Sequence, residues 1–262
     1  MAAKGTITPF QKLVLILEPP IARITLSNPP LNVIDVPMMD ELLAALQQAE
    51  AAPGVSTVIL SGNERAFSAG VDVKAHTPDK VHDMLTKFHA VIRAIAASRK
   101  VTLAVVQGRC LGGGAELAAL CDIVFTAKDA TWGFPEITLG CFPPVAAVAL
   151  SAMVGQKRAA DLVLTGRTIS GEEAARIGLA NQAAPAADLA KLAEETVGRL
   201  SKLSPSSLAT TKKALYSWDA IHFDKGLARA EKIYLDELMV LEDAREGIQA
   251  FMEKRAPAWK GK

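Results

Sequence analysis

The sequence predicts an α/β protein that becomes entirely helical towards its C terminus. Short apolar runs typical of buried strands alternate with longer segments in which apolar residues recur at helical spacing. One such run leads through three consecutive glycines directly into a helical segment. After about residue 188 the helical pattern continues and little strand signal remains. From the residues alone we expect a doubly wound sheet, followed by a small helical subdomain or an assembly surface.

The predicted strands are short apolar runs rich in branched residues: 12–18, 21–26, 55–60 and 101–108. Pro19 and Pro20 separate the first two runs, which are therefore expected to form an antiparallel pair. The segment 61–76 has two glycines and no helical period, and we expect it to be a loop.

The predicted helices are the segments with apolar residues at helical spacing: about 36–53, 78–97, 115–120, 171–177, 188–203, 206–218 and 223–251. Asp35 is expected to cap the first helix, and Thr77 the second, with Pro78 in its first turn. Ser170 opens a capping box, and Gly178 is placed to end that short helix.

Composition and charge exclude several classes of protein. The chain has 262 residues and is 50% hydrophobic, which is enough for one large domain or two small ones with a substantial core. Its net charge is +1 and it has no long basic run, so we expect neither a nucleic acid nor a membrane surface as a partner. Its first residues lack the pattern of a secretory signal, which predicts a cytoplasmic protein.

The cysteines and histidines indicate neither disulfides nor a metal site. Cys110, Cys121 and Cys141 are odd in number, lie in apolar contexts and form no CxxC pair, so we expect buried free thiols. His82 and His89 lie seven residues apart on one predicted helix. A third ligand is not evident, and we expect solvated or hydrogen-bonded histidines.

One uncharged segment, residues 137–156, is about as long as a membrane span. Pro143 and Pro144 lie inside it, and a proline pair interrupts a continuous helix. We therefore expect a buried loop and helix close to a functional site.

The three glycines 112–114 and two glutamates are the strongest candidates for a site. Glycines between a strand and a helix allow close approach of a ligand, and the amides at a helix start favour a negative oxygen. Glu116 lies in an otherwise uncharged helical segment, where an unpaired carboxylate is rarely buried without a role. With Glu136, which follows Pro135, it forms a candidate acid and base pair, although a structural role remains the alternative for each.

Motifs of several other site classes are absent from the sequence. It contains no GxGxxG, no GxxxxGK[ST] and no GxSxG. The residues thus indicate an anion-binding turn with two candidate proton carriers, and they leave the substrate open.

Three segments nevertheless resemble the crotonase (enoyl-CoA hydratase/isomerase) superfamily: AFSAGVDVK at 66–74, GRCLGGGAELAALCD at 108–122 and WGFPEITLG at 132–140. The resemblance covers essentially the whole chain. It implies a crotonase-like spiral of ββα units over residues 1–190, with the acyl-CoA site, and a helical trimerisation or lid region over residues 191–262. It also implies a homotrimer or a dimer of trimers.

The resemblance implies a coenzyme A thioester as the substrate, so coenzyme A is part of the substrate and no separate cofactor is expected. The backbone amides of Val71 and Gly113 would hold the thioester oxygen. Glu136 would deliver a proton to the α carbon, and Glu116 would hold and help to deprotonate the water. Relatives that isomerise often lack one glutamate, so the intact pair favours hydration or the reverse dehydration.

Two further groups of residues come from the same resemblance. Those expected to border the coenzyme A portion or the thioester are Ala66, Ser68, Ala69, Gly70, Asp72, Lys74 and Gly112. Those expected to shape the acyl pocket are Trp132, Phe134, Phe142 and Pro143, with core packing as the alternative for the aromatic residues.

The segment CFPPVA at 141–146 departs from the glycine-rich pattern of ordinary short-chain hydratases. With an intact glutamate pair it is similar to the cyclic dienoyl-CoA hydratases of benzoyl-CoA breakdown. A general enoyl-CoA hydratase and a cyclic dienoyl-CoA hydratase both stay open. An isomerase, dehalogenase or hydrolase of this fold is a further alternative, and the near-neutral charge argues against RNA binding.

Overall fold

The computed structural model describes residues 6–262, and for residues 218–221 it describes the backbone alone. Residues 1–5, part of the segment in which we expect no secretory signal, lie outside the described residues.

The strands are β1 Thr6–Pro9, β2 Leu13–Glu18, β3 Ile21–Leu26, β4 Thr57–Ser61, β5 Ala66–Ser68, β6 Val101–Val106, β7 Arg109–Leu111, β8 Ile123–Ala127, β9 Thr131–Gly133, β10 Thr168–Ser170 and β11 Gln182–Ala184. The α-helices are α1 Val36–Ala51, α2 Val81–Ala97, α3 Gly113–Ala119, α4 Pro144–Val154, α5 Gln156–Thr165, α6 Gly171–Ile177, α7 Leu189–Leu200, α8 Pro205–Leu215, α9 Ser217–Ile233 and α10 Glu242–Met252.

The strands form two sheets, and the chain alternates between them. One sheet has the order β1-β2-β3-β4-β6-β8-β11, and the other has the order β10-β9-β7-β5. Each turn contributes one strand to each sheet, in the pairs β4 and β5, β6 and β7, and β8 and β9. Successive turns stack in parallel in both sheets. The repeating unit is therefore ββα, and the expectation of a doubly wound sheet is wrong.

Glycines mark the bends between the two sheets. Gly108 has φ of +60°, and a Cβ there would come within 2.2 Å of the carbonyl oxygen of Arg65. At Gly62, between β4 and β5, a Cβ would meet the same kind of backbone crowding, 2.3 Å from the Ala66 oxygen. The loop expected over residues 61–76 is therefore wrong in part, since it contains β5 and a short 3-10 helix at Val73–His76.

The N-terminal predictions agree with the structure apart from one cap. β2 and β3 are antiparallel, and Asp35 caps α1 by accepting a hydrogen bond from the Met38 amide at 3.1 Å. Thr77 does not cap α2, which begins at Val81. The Thr77 carbonyl oxygen instead accepts hydrogen bonds from the amides of Lys80 and Val81, so Pro78 lies in a turn before the helix.

The uncharged segment 137–156 is a loop and a helix, as expected. It includes most of a 3-10 helix, Pro135–Leu139, a short loop, and α4, which begins at the second residue of the proline pair. Among the residues that the structure describes, no helix is long and apolar enough to cross a membrane. The three cysteines are free and buried, which confirms that expectation.

The segment 223–251 is not one helix. α9 runs into a π-helical turn at Tyr234–Leu238, and α10 begins after an extended residue, Leu241. α9 packs on α4, and α10 contacts the 3-10 helix Pro135–Leu139. The C-terminal helices therefore cover the segment that carries Glu136, while the proposed division at residue 190 stays a prediction.

Candidate functional site

Glu116 is placed by the glycine turn and α3. β7 ends at Leu111, and Gly112 then turns the chain with φ of +50° and donates its amide hydrogen to the Gly133 oxygen at 2.9 Å. α3 begins at the next residue. Glu116 lies on its first turn with 3% of its surface exposed, and its Oε1 accepts a hydrogen bond from the Ala146 amide at 2.9 Å. The start of α4 thus fixes one carboxylate oxygen.

Glu136 reaches the same place from the 3-10 helix Pro135–Leu139. The residue as a whole is half-buried, but its Oε2 is fully buried and has no hydrogen-bond partner within residues 6–262. Its Oε1 lies over Gly112, where a Cβ would come within 2.5 Å of it. Burial of an unpartnered carboxylate oxygen is costly, and such groups concentrate at functional sites.

The two carboxyl groups have raised and different proton affinities. Burial raises the pKa of Glu116 to about 7, although hydrogen bonds from the amides of Ala146 and Val145 oppose the shift. Burial, together with the nearby charge of Glu116, raises the pKa of Glu136 to about 8. The two groups titrate as a pair, and the amide hydrogen bond at Glu116 favours its ionised form, whereas Glu136 Oε2 has no donor within the described residues.

The Val71 side chain packs against the backbone of Gly113. A Cβ on Gly113 would be 2.6 Å from Cγ2 of Val71. Val71 forms a parallel bridge with Ile34, in which the Gly70 oxygen and the Asp72 amide make the hydrogen bonds and the Val71 amide takes no part. An amide without a ladder partner can donate to an oxygen that becomes negative.

These groups share one cavity of about 80 Å³. Its lining comes from the loop with the sequence SAGV at residues 68–71 (the SAGV loop), the glycine turn, α2, the 3-10 helix Pro135–Leu139, the start of α4, the π-helical turn and residues next to them. The lining residues are Ala69, Gly70, Val71, Val73, His76, Met84, Leu85, Phe88, His89, Gly112, Gly113, Glu116, Pro135, Glu136, Leu139, Phe142, Pro144 and Tyr234. Three buried polar atoms without a partner in the described residues belong to this lining, namely Glu136 Oε2, His89 Nε2 and the Tyr234 hydroxyl. Their convergence indicates a site for a polar ligand.

The residues expected at the coenzyme A portion divide into two groups. Ala69, Gly70 and Gly112 line the cavity. Ala66 and Ser68 are the first and last residues of β5, and their side chains are fully buried. The Ser68 hydroxyl donates a hydrogen bond to the Asn32 backbone oxygen at 2.7 Å. Neither residue belongs to the cavity lining.

Asp72 and Lys74 lie just outside the cavity lining. The Asp72 carboxylate accepts a hydrogen bond from the Lys74 amide at 3.1 Å and caps the short 3-10 helix Val73–His76. The Lys74 side chain is exposed, and within residues 6–262 it makes no ion pair. Its ammonium group is therefore available to an anion.

The expected acyl pocket needs correction. Phe142 lines the cavity, and its ring centroid is 5.2 Å from that of Tyr234. Pro143 is buried outside the lining, and its neighbour Pro144 lines the cavity instead. Trp132 and Phe134 are buried in the core, where the Trp132 indole donates to the Thr126 hydroxyl at 2.9 Å. Their places favour the alternative of core packing.

Sequence reasoning missed the contribution of α2 and of the C-terminal helices. The sequence predicts only an apolar helix face for Met84, Leu85 and Phe88, and only a solvated or hydrogen-bonded side chain for His89, whereas all four line the cavity. A buried polar residue within such a face was the available signal. His82 is exposed, and the described residues contain no group of three or more potential metal ligands.

Comparison with known proteins agrees with this geometry. Residues 18–262 match the family described as Enoyl-CoA hydratase/isomerase. The chain is 37% identical over 244 residues to a cyclohexa-1,5-dienecarbonyl-CoA hydratase of Thauera aromatica, covering 92% of this chain and 93% of the relative. It is 36% identical to a probable enoyl-CoA hydratase of Bacillus subtilis, covering 92% of this chain and 95% of the relative.

A solved structure supports the same assignment. The crystal structure of an enoyl-CoA hydratase from Mycobacterium avium subsp. paratuberculosis K-10 superposes with a TM-score of 0.82 at 26% identity, covering 99% of this chain and 100% of the other. The ββα turns in two sheets and the matching three segments confirm the resemblance seen in the sequence. This chain is therefore an enzyme of the enoyl-CoA hydratase/isomerase family.

Proposed function

We propose that this enzyme adds water across the double bond of an α,β-unsaturated acyl-CoA thioester. The observation that carries the proposal is the pair Glu116 and Glu136, two carboxyl groups that face one cavity and whose pKa values are both raised by burial. Water addition needs a base for the water and an acid for the α carbon, which two carboxyl groups of unequal proton affinity can supply.

The hydrogen bonds at each carboxyl group support one assignment of the two roles. Glu136, whose Oε2 has no donor within the described residues and whose pKa is raised by burial and by the charge of Glu116, gives its proton to the α carbon. Glu116, whose Oε1 accepts a hydrogen bond from the Ala146 amide, is the ionised partner and withdraws a proton from the water as its oxygen bonds to the β carbon. Each turnover leaves the pair with one proton, because Glu116 takes up the proton that Glu136 has lost and the two re-equilibrate. The reverse sequence dehydrates the product.

The backbone amides of Val71 and Gly113, two residues in contact with each other, are proposed to bind the thioester oxygen. Negative charge grows on that oxygen as the water attacks, and donors already in place need no rearrangement to stabilise it. Each such donor is worth roughly 2.7 to 4 kcal/mol in other oxyanion holes. Val71 acts through its backbone, so its side chain can contact Gly113 without taking part in the reaction.

The coenzyme A portion is proposed to lie along the SAGV loop, outside the cavity. Ala69, Gly70 and Gly112 would border the pantetheine end, and the exposed ammonium group of Lys74 would meet a phosphate. Ala66 and Ser68 would support that loop from the core, because their side chains are fully buried. No separate cofactor enters this mechanism.

A cyclic conjugated dienoyl-CoA is the second candidate substrate. The aromatic pair Phe142 and Tyr234 and the ring of Pro144 form one side of the cavity, which suits a flat ring. The Thauera aromatica relative, whose name specifies such a substrate, supports this candidate. The probable enoyl-CoA hydratase of Bacillus subtilis supports the general reading at almost the same identity.

The deciding experiment offers the pure enzyme crotonyl-CoA and cyclohexa-1,5-diene-1-carbonyl-CoA in parallel. Loss of the conjugated thioester is followed by absorbance, and products are identified by mass. Hydration of the ring substrate alone supports the cyclic candidate, and hydration of crotonyl-CoA alone supports a general enoyl-CoA hydratase. Products of unchanged mass from both would overturn hydration in favour of isomerisation. The Glu136→Gln variant serves as the inactive control.

The C-terminal region is proposed to serve both as a lid and as an assembly surface. Tyr234 reaches the cavity from this region. Most of the large apolar side chains that the described residues expose lie after residue 200, including Leu203, Leu215, Phe251 and Trp259. A trimer or a dimer of trimers predicts three or six times the monomer mass of 27.7 kDa in light scattering, and a strict monomer would refute it.

A further inference from the structure

The cavity has a second polar end, formed by His89 and Tyr234, that the hydration chemistry does not use. Both side chains are almost completely buried, with 0% and 1% exposed, and both line the cavity. His89 Nε2 and the Tyr234 hydroxyl have no hydrogen-bond partner within the described residues. Two buried polar atoms left unsatisfied in one cavity cost free energy unless a ligand completes them.

His89 is held in one orientation by a carboxylate. Its Nδ1 is 2.6 Å from Glu231 Oε1, and Arg93 Nη2 donates to the same oxygen at 3.0 Å. An ionised carboxylate only accepts hydrogen bonds, so Nδ1 carries the proton. Burial lowers the pKa of His89 despite the Glu231 carboxylate, and the ring is neutral. Nε2 on the opposite side of the ring is therefore an acceptor.

Tyr234 supplies a complementary group in the lining of the same cavity. Glu231 and Tyr234 are three residues apart where α9 continues into the π-helical turn, so they lie on one face of the helix. The residue that holds His89 and the residue that carries the free hydroxyl are thus neighbours. Burial raises the pKa of Tyr234 well above its usual value, and the neighbouring Cys141 thiol raises it further, followed by the charges of Glu136 and Glu116. The thiol is only a weak hydrogen-bonding group, and it leaves the hydroxyl without a partner of normal geometry within the described residues. Tyr234 is therefore neutral and able to donate.

The lining that these two side chains share with the glutamate pair also has apolar members, including Met84, Leu85 and Phe88. Hydration engages the α and β carbons, so a substituent that meets His89 and Tyr234 belongs to the acyl chain beyond them.

Building on the proposed acyl-CoA function, we propose that His89 and Tyr234 bind a hydroxyl group on the acyl chain of the substrate, beyond the reacting double bond. An alcohol donates its hydrogen to His89 Nε2 and accepts one from the Tyr234 hydroxyl, so that all groups are satisfied. A carboxylate or a ketone has no hydrogen to donate to Nε2, and a plain alkyl chain leaves both residues unpaired. A site built for a hydroxyl rejects the analogue without it far more strongly than it rejects a change of chain length.

The test measures binding of saturated, unreactive thioesters by calorimetry. Hexanoyl-CoA is compared with its 4-, 5- and 6-hydroxy derivatives, in the wild type and in Tyr234→Phe, which removes only the hydroxyl oxygen. At least one hydroxy ester is expected to bind the wild type about tenfold more tightly than hexanoyl-CoA, and Tyr234→Phe is expected to remove most of that preference. His89→Phe is expected to act likewise, and His82→Phe, the same change at an exposed position of α2, is the control.

Equal binding of all four esters to the wild type would overturn the hydroxyl site while leaving acyl-CoA binding intact, as would an undiminished preference in Tyr234→Phe. The same equality would follow if a water molecule alone satisfied the two residues. Failure of every ester to bind would instead overturn the acyl-CoA function on which the site depends. The two failures are therefore distinct.

Discussion

The carboxylate of Glu136 lies directly against the backbone of Gly112. A Cβ on Gly112 would be 2.5 Å from Glu136 Oε1, which is closer than any real side chain tolerates. The glycine turn therefore does more than start α3 at Gly113. It also leaves the space in which the second carboxyl group reaches Glu116, so two segments about twenty residues apart form one acid and base pair.

We predict that Gly112→Ala lowers kcat by about 100-fold, because the added methyl group displaces the Glu136 carboxylate. Steady-state kinetics with the preferred substrate would measure the loss. The control is Gly155→Ala, since Gly155 also has a positive φ, +84°, but a Cβ there would meet nothing within 4 Å. Equal losses in both variants would assign the effect to backbone strain.

We predict that Glu136→Gln and Glu116→Gln each lower kcat by about 100- to 10,000-fold while leaving the binding of acyl-CoA nearly unchanged. The amide keeps the shape of the side chain but cannot exchange a proton. Turnover and calorimetric binding would be measured together, with Glu172→Gln on the exposed surface of α6 as the control. Normal turnover in either variant would remove that residue from the chemistry.

We predict a bell-shaped dependence of kcat/KM on pH, with limbs near pH 7 and pH 8 that belong to the glutamate pair. Below the lower limb Glu116 is protonated and cannot act as the base. Above the upper limb Glu136 is ionised and cannot act as the acid. Activity constant from pH 5 to pH 10 would contradict the pairing.

The same pair should make the protein less stable as the pH rises. A carboxyl group whose pKa is raised in the folded state holds a proton that the unfolded chain releases near pH 4.5. Stability is therefore full below that pH and falls up to about pH 8. We predict that Glu136→Gln raises the Tm relative to the wild type at pH 8.5 and has little effect at pH 4.5. An equal shift at both pH values would exclude the ionisation as its cause.

A buried ion pair between Lys212 and Asp122 links α8 to the sheet. Lys212 Nζ lies 2.7 Å from Asp122 Oδ2, and Asp122 also accepts a hydrogen bond from the Thr102 amide. We predict that Lys212→Ala lowers the free energy of unfolding by roughly 3 kcal/mol, because it leaves the Asp122 carboxylate buried without its cation. Urea denaturation at fixed protein concentration would measure this. The exposed neighbour Lys213→Ala is the control, and equal effects would refute the prediction.

Local patterns in the sequence predicted the parts of the fold that depend on neighbouring residues. The β2 and β3 pair, the Asp35 cap of α1 and the stop of α6 at Gly178 all occur as expected. The pattern failed where long-range contacts decide the structure. β5 has only three residues and no periodicity to detect, and it forms because β7 lies beside it.

The sequence by itself determined the chemistry of the site. Three glycines before a helix and two glutamates in uncharged segments predicted an anion-binding turn and a proton-transfer pair, and the family motifs supplied the thioester. Tertiary structure decided which side chains meet there. It buried Trp132 in the core and brought His89 and Tyr234, 145 positions apart in the chain, into one cavity. The physical reason is that helical spacing tells which side of a helix is buried, whereas only the packing of α9 and its π-helical turn on the core decides what that side faces.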